Sequence, residues 1–68
     1  METEHFVYIL QSQLDNSFYI GSTNDLQRRV DQHNAGLSQY TSTKIPWKIV
    51  YVETLASKTE ALKREKFL

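Results

Sequence analysis

The sequence predicts a small α/β domain of the α+β type: a three-stranded, mainly antiparallel sheet flanked by helices, in the order β-β-α-β-α. Three short stretches are rich in β-branched and aromatic residues, as half-buried strands are. Two other stretches begin with helix-capping residues and then carry apolar side chains every three or four positions. Only a few turn-forming residues separate the first two strands, which favours an antiparallel hairpin.

Composition limits the class of protein. The 68 residues suffice for one domain, assigned here to residues 1–68, and eight basic residues balance eight acidic ones. Zero net charge argues against a protein that coats nucleic acid by charge alone. All eight basic residues lie within residues 28–68, so a basic face stays open beside an ordinary solvated helix. Because the chain has no cysteine, no long apolar run and no signal-peptide start, we expect a soluble cytoplasmic protein with no membrane contact.

The predicted hairpin places a tyrosine among apolar side chains. A first strand spans residues 5–10, a turn follows at residues 13–17, and a second strand spans residues 18–20. Alternate side chains of a strand share a face, so Tyr8 lies between apolar neighbours on its face. Its hydroxyl group therefore needs a hydrogen-bonding partner.

The first helix carries polar residues on its inward side. Gly21 permits a close backbone approach, and Asn24 with Gln27 resembles a capping box that opens a helix. Gly36 is expected to end it as a left-handed cap. The spacing predicts an inward stripe that consists of Leu26, Arg29, Val30, His33 and Leu37. An arginine and a histidine at such positions suggest a functional site.

A polar loop and a third strand follow. Residues 37–46 are predicted to form a loop, with an extra helical turn allowed within residues 37–45. Its hydroxyl and lysine donors suit a phosphate, but polarity is also what any surface loop shows. Residues 47–52 are the third strand, and alternation places on one face Trp47, Ile49 and Tyr51.

The second helix begins at a clear capping signal. Ser57 and Glu60 fit the S-x-x-E capping box. The inward stripe is predicted to consist of Ala61, Leu62, Glu65 and Leu68. Glu65 is thus the one acidic residue expected to face the sheet. The apolar pattern stops in its middle at Leu68, so we expect this helix to be truncated here.

Four polar side chains project from apolar faces: Tyr8, Arg29, His33 and Glu65. Each has an ordinary structural explanation, respectively a core hydroxyl with a bonded partner, an arginine paired with an acid, a capping histidine and a snorkelling glutamate. Together they are harder to explain in that way, because burying a charge costs several kcal/mol unless the charge is paired or has a functional role.

With these residues the sequence resembles the GIY-YIG nuclease superfamily, in particular its small stand-alone bacterial members related to the nuclease domain of the excision-repair incision subunit. The first motif tyrosine matches Tyr8, and Tyr19 opens a literal Tyr-Ile-Gly second motif. The family's arginine, ten residues later, matches Arg29, and a histidine four positions further matches His33. The metal-binding glutamate of the family matches Glu65.

The resemblance implies a metal-dependent endonuclease that hydrolyses phosphodiester bonds in DNA, in repair or processing of structured DNA, with RNA not excluded as a substrate. Glu65 would bind the divalent cation, Mg²⁺ or Mn²⁺, and Arg29 would stabilise the transition state. Tyr8 would activate water directly or through a neighbour, and His33 would either relay that proton or bond a phosphate. Tyr19 would orient water or phosphate. The lysines implied as nucleic-acid contacts are Lys44, Lys63 and Lys66.

Two departures keep a second interpretation open. Phe6 stands where the first motif has a glycine, and the 68 residues hold no accessory DNA-binding domain. The alternative is a non-catalytic module of the same fold that binds nucleic acid or a protein partner supplying the substrate. In the protein-binding version, exposed Trp47 or Tyr51 would form an apolar contact patch. The oligomeric state is left open.

Overall fold

The computed structural model describes residues 4–68 and confirms the predicted β-β-α-β-α order. Its elements are β1 (His5–Ser12), β2 (Phe18–Thr23), α1 (Leu26–Asn34), a 3-10 helix (Thr41–Lys44), β3 (Trp47–Leu55) and α2 (Lys58–Glu65). The 3-10 helix is the extra turn allowed for within residues 37–45. The domain boundary predicted at Met1 lies outside the described residues. No helix in the described part of the chain has the length and hydropathy needed to cross a membrane.

The sheet has the strand order β2-β1-β3, and both outer strands run antiparallel to β1. Tyr8 of the central strand lies between Gly21 of β2 and Val52 of β3. Because β1 is central, a side chain on it can be enclosed from both sides. The antiparallel pairing of both outer strands with β1 confirms the predicted hairpin and the predicted sheet.

A bulge in β3 reverses its side-chain alternation. Ile49 pairs with Leu10 and Tyr51 pairs with Ile9, which leaves Val50 without a partner on β1. Cross-strand partners share a face, so Ile49 and Tyr51 lie on opposite faces of the sheet. The prediction that they share one is wrong, because a bulge inserts one residue and shifts every later side chain to the other face.

The core lies between the sheet and α1. Its buried cluster consists of Tyr8, Leu10, Val30 and Trp47, with Tyr19, Leu26 and Ile45 packed against it. The second helix contacts all three strands, and Ala61 is its fully buried residue. The predicted inward stripes are wrong for Leu37, Leu62 and Leu68, which are 73%, 46% and 38% exposed. The position of Leu37 has a simple cause, since α1 has already ended before it.

The helix ends follow local capping rules. The cap of α1 is Asp25, whose Oδ1 accepts a hydrogen bond from Arg28 N at 3.2 Å, so the predicted cap at Asn24 is wrong by one residue. Gly36 has φ 81° and ends α1 in the left-handed conformation, as predicted. The predicted cap of α2 is confirmed, because the Ser57 side chain accepts from Glu60 N at 3.2 Å.

Hydrogen bonds fix the 3-10 helix between α1 and β3. The Asn34 side chain donates to Trp47 O at 3.2 Å and accepts from Trp47 N at 2.7 Å. The Trp47 indole N–H donates to Thr41 O at 2.8 Å. The Ser12 hydroxyl donates to Lys44 O at 2.8 Å. Both ends of the 3-10 helix are therefore held to the sheet.

Candidate active site

A buried hydrogen bond joins the first strand to the first helix. Tyr8 Oη lies 3.1 Å from His33 Nε2, and both side chains are almost completely buried. Tyr8 is brought there by the alternation of β1, and His33 by its position on the same side of α1 as Val30. The tyrosine hydroxyl thus has the partner that its burial required.

A threonine of the 3-10 helix completes this contact. Thr41 Oγ1 lies 2.8 Å from His33 Nδ1, and Thr41 is fully buried. Burial, and then the charge of Arg29, lower the pKa of His33 below 6.5, so the neutral imidazole is the stable form at pH 7. A neutral imidazole has one donor and one acceptor nitrogen. The two bonds are therefore linked: the tautomer with hydrogen on Nδ1 donates to Thr41 and accepts from the Tyr8 hydroxyl at Nε2, and the other tautomer reverses both bonds.

The pKa of Tyr8 is raised above its usual value of 10. Burial is the main cause, and the neighbouring Tyr19 and Glu65 add to the increase, whereas the Arg29 guanidinium partly offsets it. In the resting protein at pH 7 Tyr8 is therefore protonated. The stable state of the site is a neutral phenol hydrogen-bonded to a neutral imidazole.

The second tyrosine packs on the same group. The ring centroids of Tyr19 and His33 are 4.8 Å apart in an edge-on arrangement, and those of Tyr19 and Tyr8 are 6.4 Å apart. A Cβ atom at Gly21 would lie 2.6 Å from Tyr8 Oη and 2.8 Å from Tyr8 Cζ. The glycine of the Tyr-Ile-Gly motif therefore makes room for the phenol ring of the neighbouring strand, as the expected close approach required.

Arg29 lies between the tyrosines and solvent. Its Nη1 donates to Gln32 Oε1 at 3.1 Å, and its side chain is half-buried. Burial opposes its charge, but the Tyr8 and Tyr19 hydroxyls outweigh that effect, so the pKa of Arg29 rises above its usual value. A permanent cation thus lies beside both hydroxyls.

The remaining candidate, Glu65, is on α2 at the edge of this group. It is half-buried, and its charge reaches Tyr8, whose pKa it helps to raise. Within residues 4–68 its carboxylate has no hydrogen bond or salt bridge to the protein, whereas the neighbouring Arg64 pairs with Glu53 at 2.7 Å. The same residues contain no group of three His, Asp or Glu side chains able to enclose a metal ion.

The three candidate lysines lie in different settings. Lys66, the residue that caps the end of α2, is exposed and lines the same surface depression as Glu65. Lys63 is exposed on another side of α2. Lys44 Nζ pairs with Asp15 Oδ2 at 3.2 Å and lies 5.5 Å from the centroid of the Tyr40 ring. The charge of Lys44 is thus already compensated within the protein.

Sequence reasoning did not assign a structural role to Thr41 or Trp47. Thr41 was considered only as one phosphate donor in a polar loop, yet its side chain and its carbonyl hold His33 and Trp47. Trp47 is buried, so it forms no exposed patch. The sequence signal for these contacts is the Tyr8 hydroxyl, because a buried hydroxyl group needs a hydrogen-bonding partner.

Comparisons with known proteins agree on one family. A family model described as the GIY-YIG catalytic domain matches residues 4–68. A UPF0213 protein of Listeria innocua is 44% identical over 63 residues, covering 91% of this chain and 69% of the relative. The UPF0213 protein YazA of Bacillus subtilis is 42% identical over 67 residues, covering 96% and 67%. The solution NMR structure of a UPF0213 protein from Bacillus halodurans is 37% identical, with a TM-score of 0.56 over 94% of this chain and 68% of that one.

Proposed function

This chain belongs to the GIY-YIG catalytic domain family, and from that premise we propose that it is a metal-dependent endonuclease that hydrolyses phosphodiester bonds in structured DNA during repair or processing. The observation that carries the proposal is the buried hydrogen bond from Tyr8 to His33 with the Arg29 cation beside it. That arrangement joins a proton acceptor to a phosphate-binding cation, which are the two groups that phosphodiester hydrolysis requires of the protein.

The proton chain supports a relay rather than a phosphate contact for the histidine. Both ring nitrogens of His33 already have partners, so a phosphate contact would first have to break one of these bonds. In the tautomer that carries its hydrogen on Nδ1, Nε2 is free to accept a proton from Tyr8. In the relay, the attacking water gives its proton to Tyr8 Oη while the Tyr8 proton passes to His33 Nε2. The water oxygen then forms its bond to phosphorus as the bond from phosphorus to the leaving sugar oxygen breaks, and that oxygen takes a proton from solvent water. No free phenolate is needed. This matters because burial makes the Tyr8 phenolate costly.

Arg29 would bind the scissile phosphate. Its guanidinium presents several donors in a planar fork that fits two phosphate oxygens. Because its charge does not depend on pH in the working range, it can stabilise the negative charge that builds up on those oxygens. Gln32 fixes one end of the guanidinium, and Tyr19, beside it, would orient the phosphate or the water.

Glu65 fits a weakly held divalent cation, Mg²⁺ or Mn²⁺. Among residues 4–68 its carboxylate has no cationic partner, and no further acidic or histidine ligands cluster around it. A hard cation with one protein carboxylate keeps most of its coordination for water and substrate phosphate. When bound, the cation supplies charge neutralisation at the leaving oxygen. The exposed Lys66 lines the same surface depression as Glu65 and would contact a neighbouring phosphate. Lys63, exposed on another side of α2, would contact a phosphate farther from the carboxylate.

A cleavage assay tests the proposal. The purified chain is incubated with end-labelled duplex, flap, branched and single-stranded DNA in Mg²⁺, Mn²⁺ or EDTA. We expect metal-dependent cleavage by the wild-type chain and none by a folded Glu65→Ala variant. The matched control is Glu60→Ala, which removes an exposed carboxylate from the first turn of the same helix and should cut as the wild type does.

Two results would contradict the proposal. Unchanged cleavage by folded Glu65→Ala would remove Glu65 from the mechanism. A folded wild-type chain that binds DNA but cuts none of the substrates in any metal would identify the non-catalytic binding module instead.

A further inference from the structure

An exposed aromatic ring lies next to the candidate active site and has no part in the chemistry described above. Tyr40 is 54% exposed, and its ring centroid is 6.0 Å from that of Tyr19. Tyr19 in turn packs edge-on against His33. One aromatic side chain therefore separates the exposed ring from the proton-accepting histidine.

The backbone that carries this ring is held in place. Tyr40 directly precedes Thr41, which is fully buried against His33 and Trp47. The Thr43 hydroxyl also donates to Tyr40 O at 3.2 Å. The position of the ring relative to the site is thus set by the same contacts that set the histidine.

At the Tyr40 ring itself, beyond the reach of the proposed phosphate contact of Arg29, charge offers little attraction for a polyanion. Lys44, the cation beside the Tyr40 ring, is paired with Asp15, and the chain as a whole has no net charge. Affinity for a nucleic acid would therefore have to include uncharged contacts. Stacking of a base on an aromatic ring is such a contact, and it tolerates any base sequence.

We propose that Tyr40 is a stacking surface for an unpaired nucleobase next to the phosphate that is cut. Bases inside a duplex have both faces covered by their neighbours, so only an unpaired or terminal base can use the ring. The preferred substrate class is then DNA with unpaired nucleotides at the cleavage point, such as a flap or a branch. This inference rests on the proposed function, because it names the substrate of the same site.

Binding measured without cleavage tests it. Fluorescence anisotropy in EDTA compares a dye-labelled single-stranded oligonucleotide with an oligonucleotide of equal length and charge made of abasic nucleotides. We expect Tyr40→Leu to weaken binding of the normal oligonucleotide about 5- to 100-fold, as loss of one stacked base does. Tyr40→Gln should behave in the same way, and Tyr40→Trp should retain the affinity. The wild type and all three Tyr40 variants should bind the abasic oligonucleotide equally weakly.

The control is a second exposed aromatic residue. Phe18 is 58% exposed, and strand alternation points it to the face opposite that of Tyr19, so Phe18→Leu should leave binding unchanged. Equal affinities of Tyr40→Leu, Tyr40→Gln and the wild type would overturn the inference, as would an equal loss on both oligonucleotides. Thermal unfolding of each variant shows whether it is folded.

Cleavage reports separately on the proposed function. If binding depends on Tyr40 but no DNA is cut, the endonuclease proposal fails and the stacking site stands. If DNA is cut and binding does not depend on Tyr40, the endonuclease proposal stands and the stacking site fails. A folded wild-type chain that neither binds nor cuts DNA overturns both.

Discussion

The two helices hold their candidate residues in very different ways. Helix α1 buries His33 completely beside Val30, and both nitrogens of that histidine are hydrogen-bonded. Helix α2 buries only Ala61, and its Glu65 carboxylate is half-buried without a protein partner in the described residues. One candidate is part of the core, and the other lies at its edge.

This difference matches what each group would have to do. A proton passes between two atoms only when they stay within hydrogen-bonding distance, so the tyrosine and the histidine must be fixed by packing. A hydrated cation carries its own water ligands and needs room for them. We therefore expect substitutions on the α1 side of the site to lower stability, and substitution of Glu65 on the α2 side to affect only the proposed activity.

Among the candidate site residues, replacing the histidine should have the largest effect on stability. His33→Ala leaves the Tyr8 and Thr41 hydroxyls buried without a partner, and we expect a loss of about 2–4 kcal/mol in the free energy of unfolding. Glu65→Gln should change that free energy by less than about 0.5 kcal/mol. Urea unfolding of both variants measures the difference, and similar losses for the two would contradict it.

A methyl group in the motif glycine should have the next largest effect. Gly21→Ala places a Cβ atom 2.6 Å from Tyr8 Oη, so the ring has to move and its bond to His33 breaks. We expect a loss of about 1–3 kcal/mol in the free energy of unfolding, together with loss of cleavage. Ser22→Ala, on the opposite face of β2, is the control and should cut normally.

Acid should weaken the folded state through the same histidine. The pKa of His33 is below 6.5 in the folded protein, so the unfolded chain takes up the proton first as pH falls. The contribution of His33 to stability is thus complete above pH 6.5 and is lost below it, by at most about 1.4 kcal/mol per pH unit until the folded pKa is reached.

Urea unfolding at a series of pH values from 7.5 to 5 checks this dependence. A folded His33→Gln variant should lack the loss of stability that protonation of His33 causes. An equal slope in the variant would assign the pH dependence to another group. Asp15 and Glu53 have lowered pKa values in the folded protein, so their contributions are lost at more acidic pH.

The smallest effect is expected on the exposed side of α2. Leu62 is 46% exposed, and Leu62→Lys should change the free energy of unfolding by less than about 0.5 kcal/mol. Ala61→Lys, one residue earlier, places a charge in a fully buried position and should unfold the domain. Circular dichroism separates the two, and a large loss in Leu62→Lys would show that this side of α2 is packed.

The parts of the fold that the sequence predicted correctly depend on neighbouring residues. The cap at Ser57 and the left-handed Gly36 are local signals that need no tertiary contact. The four-residue step from Arg29 to His33 placed both on one helix face for the same reason. Even the error at the start of α1 was local, since Asn24 and Asp25 are both good caps.

The parts that could not be predicted depend on distant segments. The β3 bulge is defined only by its pairing with β1, so alternation alone put Tyr51 on the wrong face. The contact from Thr41 to His33 depends on how the loop folds back over α1, and no periodicity records it.

The bond between Tyr8 and His33 also bears on how the chain folds as it is synthesised. It joins residues 25 positions apart, and the threonine that completes it is made later still. The β1–β2 hairpin can form early, but until His33 and Thr41 have emerged from the ribosome the Tyr8 hydroxyl has only water as a partner. A half-made chain therefore contains the Tyr-Ile-Gly motif and cannot yet contain the buried bond between Tyr8 and His33.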